Sequence, residues 1–137
     1  MQVIVFSLNE KLFAIPTNKI IEITKSMDSI KVPNAPEFIE GLINLRGNVV
    51  TLLNLGKILS IDDNICYNNI IILNYEEDML GLLVDEVEQV MEIDEQDIQV
   101  LKKEENQNIV GIVEINGKIV DILDIEKLIE QIEDKVK

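Results

Sequence analysis

Few side chains in this sequence could do chemistry, and their types and spacing favour binding over reaction. The chain has no histidine, which removes the commonest general base, the serine–histidine arrangement of hydrolases and most zinc sites. Its single cysteine, Cys66, cannot build a metal cluster or an internal disulfide. Between Ile65 and Tyr67 it reads as a small apolar filler. Gly41 and Gly47 lie six residues apart with no Gly-Lys-Ser or Gly-Lys-Thr after them, so no phosphate-cradling loop is encoded. Neither Asp62-Asp63 nor Asp94-Glu95-Gln96-Asp97 has the spacing of a calcium loop. The enzymatic reading that survives is a carboxylate pair acting on a sugar or a metal-bound substrate, because spatial pairing is invisible in a sequence. Among 26 acidic residues, however, any single carboxylate is first a solvated surface group. There remains Arg46, the only arginine. It sits at a turn beside apolar runs, where a guanidinium needs an acidic partner from the same molecule or from another.

Composition narrows the partner class. The chain carries 26 acidic and 12 basic groups, a net charge of −14. That charge repels nucleic-acid phosphates and anionic lipid and favours a basic or amphipathic protein partner. At 137 residues the chain is about one domain long, large enough to fold without a metal or disulfide. Apolar residues make up 47%, mostly Ile, Val and Leu, with 4% aromatics and no Trp. Such a composition favours strands. Met1-Gln2-Val3-Ile4-Val5-Phe6 lacks a basic leader and a cleavage site. No apolar run approaches 18 residues, so no direct membrane insertion is expected. The lone cysteine fits a reducing compartment, and the expected location is cytoplasmic.

The elements that must position Arg46 are short strands. Val3–Leu8 and Lys11–Ile15 read as a hairpin around Asn9-Glu10, ended by Pro16, which has no N–H for a ladder. Lys19–Thr24 is a third strand. Alternation places Ile21 and Ile23 on one face, with Ile20, Glu22 and Thr24 on the other. Ser26–Pro36 is a loop, and Pro36–Glu40 suits one helical turn stopped by Gly41. Two strands then flank Arg46-Gly47-Asn48. Leu42, Asn44 and Arg46 share a face, and Ile43 and Leu45 take the other. A short helical turn over 56–59 and a polar loop at Asp62-Asp63-Asn64 follow. Strands over Asn69–Tyr75, Met79–Val84 and Asp85–Ile93 come next, then a loop over Asp94–Gln107 with one short anchored segment. Asn116-Gly117 between Ile109–Ile115 and Lys118–Leu123 is a strong hairpin signal. Asp124 caps a closing helix with the stripe Ile125, Leu128, Ile129, Ile132 and Val136. Nine or ten short strands and one helix make an all-β chain that must curl or split. Two small barrels with a binding groove between them satisfy this.

At this point a family pattern is visible. Phe6-Ser7-Leu8 with Phe13-Ala14-Ile15-Pro16, then Ile20-Ile21-Glu22-Ile23, resemble the opening of the CheW-like domain. The segment from Val32 to Gly47, ending Gly41-Leu42-Ile43-Asn44-Leu45-Arg46-Gly47, is similar to its most diagnostic stretch. Gly81-Leu82-Leu83-Val84-Asp85-Glu86-Val87 and Val120-Asp121-Ile122-Leu123-Asp124 resemble its later signatures. Leu52-Leu53-Asn54-Leu55 departs from it, with Asn54 where an acidic residue is usual. The resemblance covers residues 2–130.

The resemblance implies two five-stranded, SH3-like barrels packed together in a single CheW-like domain over 1–137. The first barrel would span roughly 16–82, and the second roughly 1–15 with 83–124, followed by the amphipathic helix at 125–136. It implies a non-catalytic, cofactor-free, metal-free adaptor in bacterial chemotaxis. Such an adaptor joins the cytoplasmic hairpin tip of chemoreceptors (methyl-accepting chemotaxis proteins) to the regulatory domain of the histidine kinase CheA. A non-flagellar chemosensory pathway is the alternative setting. No fused receiver or kinase domain is expected in this chain. Ile20, Glu22, Gly41 and Arg46 match positions tied to receptor or kinase coupling. Asn44 joins them by sharing the Arg46 face, while Val84, Asp85 and Val87 lie where the second barrel would face a partner. On the alternation above, Glu22 and Arg46 face away from Ile21, Ile23, Ile43 and Leu45 and can pair across neighbouring strands, partly buried. Such a pair sets geometry more than it adds stability.

Overall fold

In the computed structural model, residues 1–61, 66–100 and 108–136 are described, with side chains given to 132. The expected loop at Asp62-Asp63-Asn64, the stretch 101–107 and the stripe position Val136 lie outside what is described. The strands are β1 (Gln2–Leu8), β2 (Lys11–Pro16), β3 (Ile20–Lys25), β4 (Ile39–Leu45), β5 (Asn48–Asn54), β6 (Asn69–Tyr75), β7 (Asp78–Val84), β8 (Glu86–Glu92), β9 (Gln99–Val100), β10 (Ile109–Ile115) and β11 (Lys118–Leu123). Helix α1 (Leu55–Ile58) is one turn, and α2 (Ile125–Val136) closes the chain. No helix among the described residues is long and apolar enough to cross a membrane.

The strands form two sheets, ordered β8-β1-β2-β11-β10-β9 and β3-β6-β7-β5-β4. One has six strands where five are expected, because the two-residue β9 adds to β10. The chain divides into two compact units, Met1–Thr17 with Val87–Lys137, and Asn18–Glu86. Each unit is built on one plan. In the first, the β1–β2 hairpin joins the β10–β11 hairpin through a parallel β2–β11 pair. In the second, the β6–β7 hairpin joins the β4–β5 hairpin through a parallel β5–β7 pair. Each unit also encloses its own aliphatic cluster. Val3, Val5, Ala14, Ile93, Val113, Val120 and Ile122 fill one. Ile43, Leu45, Val50, Leu52, Ile70, Ile72 and Leu83 fill the other.

Tight turns fix the hairpin registers. Asn9-Glu10, Arg46-Gly47 and Asn116-Gly117 each bridge a two-residue gap with both residues at positive φ. That is the backbone twist two-residue hairpins require. The expected helical turn at Pro36–Glu40 does not form. The N–H of Ile39 bonds the Pro36 carbonyl at 3.0 Å in a simple turn, and β4 starts at Ile39. Gly41 therefore lies inside a strand. At the closing helix, Asp124 Oδ1 accepts the N–H of Lys127 at 3.2 Å. Leu128, Ile129 and Ile132 of the stripe are buried.

Candidate functional site

The site grows from the β4–β5 hairpin. Leu45 pairs with Asn48, leaving Arg46 and Gly47 as the whole turn, at φ 52° and 88°. Asn44 Oδ1 accepts the N–H of Gly47 at 2.8 Å, so Asn44 braces the turn that presents Arg46. The Arg46 Nη2 group donates to Glu22 Oε1. These two residues are not on neighbouring strands: β3 and β4 stand at opposite ends of the sheet order. The sheet must curl for them to meet, and the pair ties its two ends.

Glu22 reaches this position through a bulge between Ile20 and Glu22. The extra residue shifts the alternation, and Glu22 pairs with Ile72, a member of the enclosed cluster. Its side chain therefore shares the interior face at the sheet edge, contrary to the simple period-two reading. Ile20 pairs with Leu73 on the opposite face and is half-buried, while Ile21 is pushed outward to 47% exposure. The ion pair is more exposed than expected, at 70% for the Arg46 side chain and 26% for Glu22. A pair this accessible contributes at most about 1 kcal/mol to stability.

Gly41 is buried at φ 155° in a β4 bulge. A Cβ there would sit 2.6 Å from both the Ile30 carbonyl oxygen and Ser29 Oγ. The close approach that needs glycine comes from the chain's own Ser29–Ile30 segment. That segment is strapped to β4 by reciprocal Ile30–Leu42 bonds of 2.9 and 2.8 Å. Val84 corrects the sequence reading outright: its side chain has no exposure and belongs to the core, because β7 is covered on both faces there. Asp85 is half-buried just after β7, and its carbonyl accepts the N–H of Asn68 at 3.1 Å. Val87, half-buried on β8, belongs to the other unit. The structure thus gathers Glu22, Asn44 and Arg46. Val84 and Asp85 lie at the far end of β7 from the Arg46 turn.

Two features escaped sequence reasoning. Asn54, 4% exposed, accepts the N–H of Lys57 at 3.0 Å and the Tyr67 hydroxyl, and donates from Nδ2 to Glu40 Oε2 at 3.5 Å. The Lys57 bond is a local cap on α1, and folding brings Tyr67 and Glu40 to the same side chain. Val49 (64% exposed) pairs with Asn44, and Ile30 (77% exposed) pairs with Leu42, so apolar surface lies beside the turn. No group of three or more metal-ligating side chains is assembled among the described residues. The arrangement presents one braced cation, its carboxylate and exposed aliphatics.

Comparison with known proteins agrees in scale with the whole chain. The CheW-like domain family matches residues 2–133. A chemotaxis protein CheW of Thermotoga maritima is 32% identical over 134 residues, covering 96% of this chain and 89% of that relative. One from Treponema pallidum is 29% identical over 137 residues, covering 93% and 81%. The crystal structure of the scaffolding protein TtCheW from Thermoanaerobacter tengcongensis superposes with a TM-score of 0.85 at 32% identity, over 93% of this chain and 86% of that one. With its two-sheet architecture and its Asn44–Arg46 turn in place, the chain belongs to the CheW-like family.

Proposed function

We propose that this chain is a non-catalytic chemotaxis adaptor of the cytoplasm. It joins the cytoplasmic hairpin of a chemoreceptor to the regulatory domain of the histidine kinase CheA. The observation that carries the reading is the family match over residues 2–133 together with relatives of similar length named for chemotaxis. Within it, Glu22, Asn44 and Arg46 hold the coupling surface in shape. Arg46 is presented by a braced turn and anchored by Glu22, so its remaining donors point where a partner's carbonyls or carboxylates can accept them. Ile20, Asp85 and Val87 are further candidate contacts, and Gly41 supports the surface from beneath.

The test is a reconstituted kinase assay with purified CheA and a receptor cytoplasmic fragment, alongside a pull-down of each. Arg46→Ala is expected to lower receptor-dependent kinase activation at least about tenfold, the loss of one or two charge-assisted hydrogen bonds. Its circular dichroism should remain native. Normal activation by this variant would refute the coupling role of the pair, and failure of the unmodified chain to bind either partner would refute the adaptor reading.

A further inference from the structure

Asn116-Gly117 is the sole Asn-Gly pair in the sequence. Both residues are exposed, and they make the whole connection between Ile115 and Lys118, at φ 51° and 80°. In the Arg46-Gly47 turn of the other unit, Asn44 Oδ1 holds the glycine N–H at 2.8 Å. Glu114 stands at the matching place before Asn116, and among the described residues no such brace joins it to Gly117. A Cβ added at Gly117 would meet nothing within 4 Å. The Gly117 peptide nitrogen thus lies in open space next to a side-chain amide that it can attack.

The backbone is set for that attack. Two positive φ values make a type I′ turn. A type II′ turn keeps the first φ and differs by rotation of the central peptide plane. That rotation takes the first ψ from about +30° to about −120° and the second φ from about +90° to about −80°. Asn116 already has the φ common to both, a value asparagine tolerates. Gly117 changes the sign of its φ without steric cost, and nothing crowds it. On an L residue, Cβ lies a third of a turn from the backbone nitrogen, on the side that a ψ of about −120° brings into line with the next nitrogen. In the rotated turn Gly117 N is therefore eclipsed with Asn116 Cβ, the arrangement that closes a five-membered ring on Cγ.

We infer that the Asn116-Gly117 turn is a self-modification site, at which the folded chain converts its own asparagine through a succinimide. The Gly117 nitrogen forms a bond to Asn116 Cγ, and the Cγ–Nδ2 bond breaks. The peptide proton passes through water to the departing amino group, which leaves as ammonia. Water then opens one of the two ring carbonyls. Breaking the new Cγ–N bond gives aspartate, and breaking the original peptide bond gives isoaspartate. Either product adds one negative charge to the net −14. Aspartate is a residue that such turns accept. Isoaspartate runs the main chain through Cβ and Cγ, one atom longer, which disturbs the Ile115–Lys118 closure and the Val113–Val120 pair behind it. The turn thereby marks aged copies of the chain. This inference does not depend on what the Glu22–Arg46 surface binds.

The test is to warm the full chain in mildly alkaline buffer and sample it by anion exchange and peptide-mapping mass spectrometry. A more acidic species should accumulate, with the change confined to Asn116 and with Asn9, Asn34 and Asn48 intact. Its rate should lie within about tenfold of that in a synthetic peptide of residues 112–121, the cost of passing between two allowed hairpin turns. Asn116→Gly, which leaves a Gly-Gly turn, should form no such species. The purified isoaspartate form should melt below the parent and shift the amides of Val113 and Val120, while Asn116→Asp should match the parent in both. An Asn116 that stays intact in the folded chain while the peptide converts would overturn the proposal, because the fold would then lock the turn. Conversion spread evenly over the other asparagines, or an equal acidic species from Asn116→Gly, would overturn it too. An isoaspartate form that melts with the parent would refute its structural consequence.

Discussion

At Arg46 a backbone demand and a side-chain demand fall on one residue. Its φ of 52° is strained for any residue with a Cβ, by about 1 kcal/mol, while its guanidinium ties Glu22 across the curled sheet. The two can be separated. Arg46→Gly relieves the strain and removes the ion pair, so thermal unfolding should show stability equal to or above the parent by up to about 1 kcal/mol. Arg46→Ala keeps the strain and should lose up to about 1 kcal/mol, since the pair is largely exposed. Against a total stability of about 5–15 kcal/mol, neither change unfolds the chain, and on the proposed function both should fail in receptor coupling. A glycine variant that couples normally would show that the turn alone, without its cation, suffices. Lys11 is a contrasting case: its Nζ lies 3.0 Å from Asp121, which is only 6% exposed, and 5.5 Å from the Phe13 ring centroid. Lys11→Met should destabilise by about 1–2 kcal/mol, because it strips a buried carboxylate of its cation. The exposed control Lys25→Met should change little. Equal effects in denaturant titration would show that Asp121 gains nothing from Lys11.

The elements explain which parts of this architecture a sequence can announce. Gly41 is the instructive case. It reads as a helix stop, yet it sits in a bulge of β4 with Ile30 and Ser29 where its Cβ would be. Gly41→Ala should therefore force the Ser29–Ile30 strap off β4 and cost about 2 kcal/mol or more. Amide exchange would see it first at Leu42, whose N–H bonds Ile30. A variant with parent-like protection at Leu42 would contradict this. Strands and hairpins were legible because they are local: Asn116-Gly117 and Asn69–Tyr75 carry their turn chemistry and apolar runs in a few residues. The Glu22–Arg46 partnership was legible from the family resemblance and the strand alternation, with the apolar setting of Arg46 calling for an acid. Its geometry was not. The bulge at Ile20/Glu22 exists only relative to β6, and the curl that brings β3 to the β4–β5 turn exists only in the whole sheet. The parallel β2–β11 and β5–β7 pairs join segments distant in sequence, and no periodicity records them. Val84 was misplaced for a related reason. The resemblance puts it where the second barrel would face a partner, but the end of β7 is buried and Val84 has no exposure there.

On the scale of the whole molecule, charge works against compactness. With 26 acidic and 12 basic groups, the folded chain gathers an excess of fourteen negative charges, and their mutual repulsion opposes folding. Raising salt shortens the range of that repulsion from about 30 Å at 0.01 M to about 3 Å at 1 M. Among the described residues, the ion pairs Arg46–Glu22 and Lys11–Asp121 are each exposed on at least one partner. Screening them forfeits at most about 1 kcal/mol each. The long-range repulsion involves many more pairs, so its relief should win. The melting temperature is expected to rise by a few degrees as sodium chloride goes from 0.01 to 1 M, where a chain held together by its ion pairs would melt earlier. Arg46→Ala supplies the internal check. Having one less attractive pair to screen and one more net negative charge, it should gain at least as much from salt as the parent does. A smaller gain in the variant would mean that long-range repulsion does not set the response to salt.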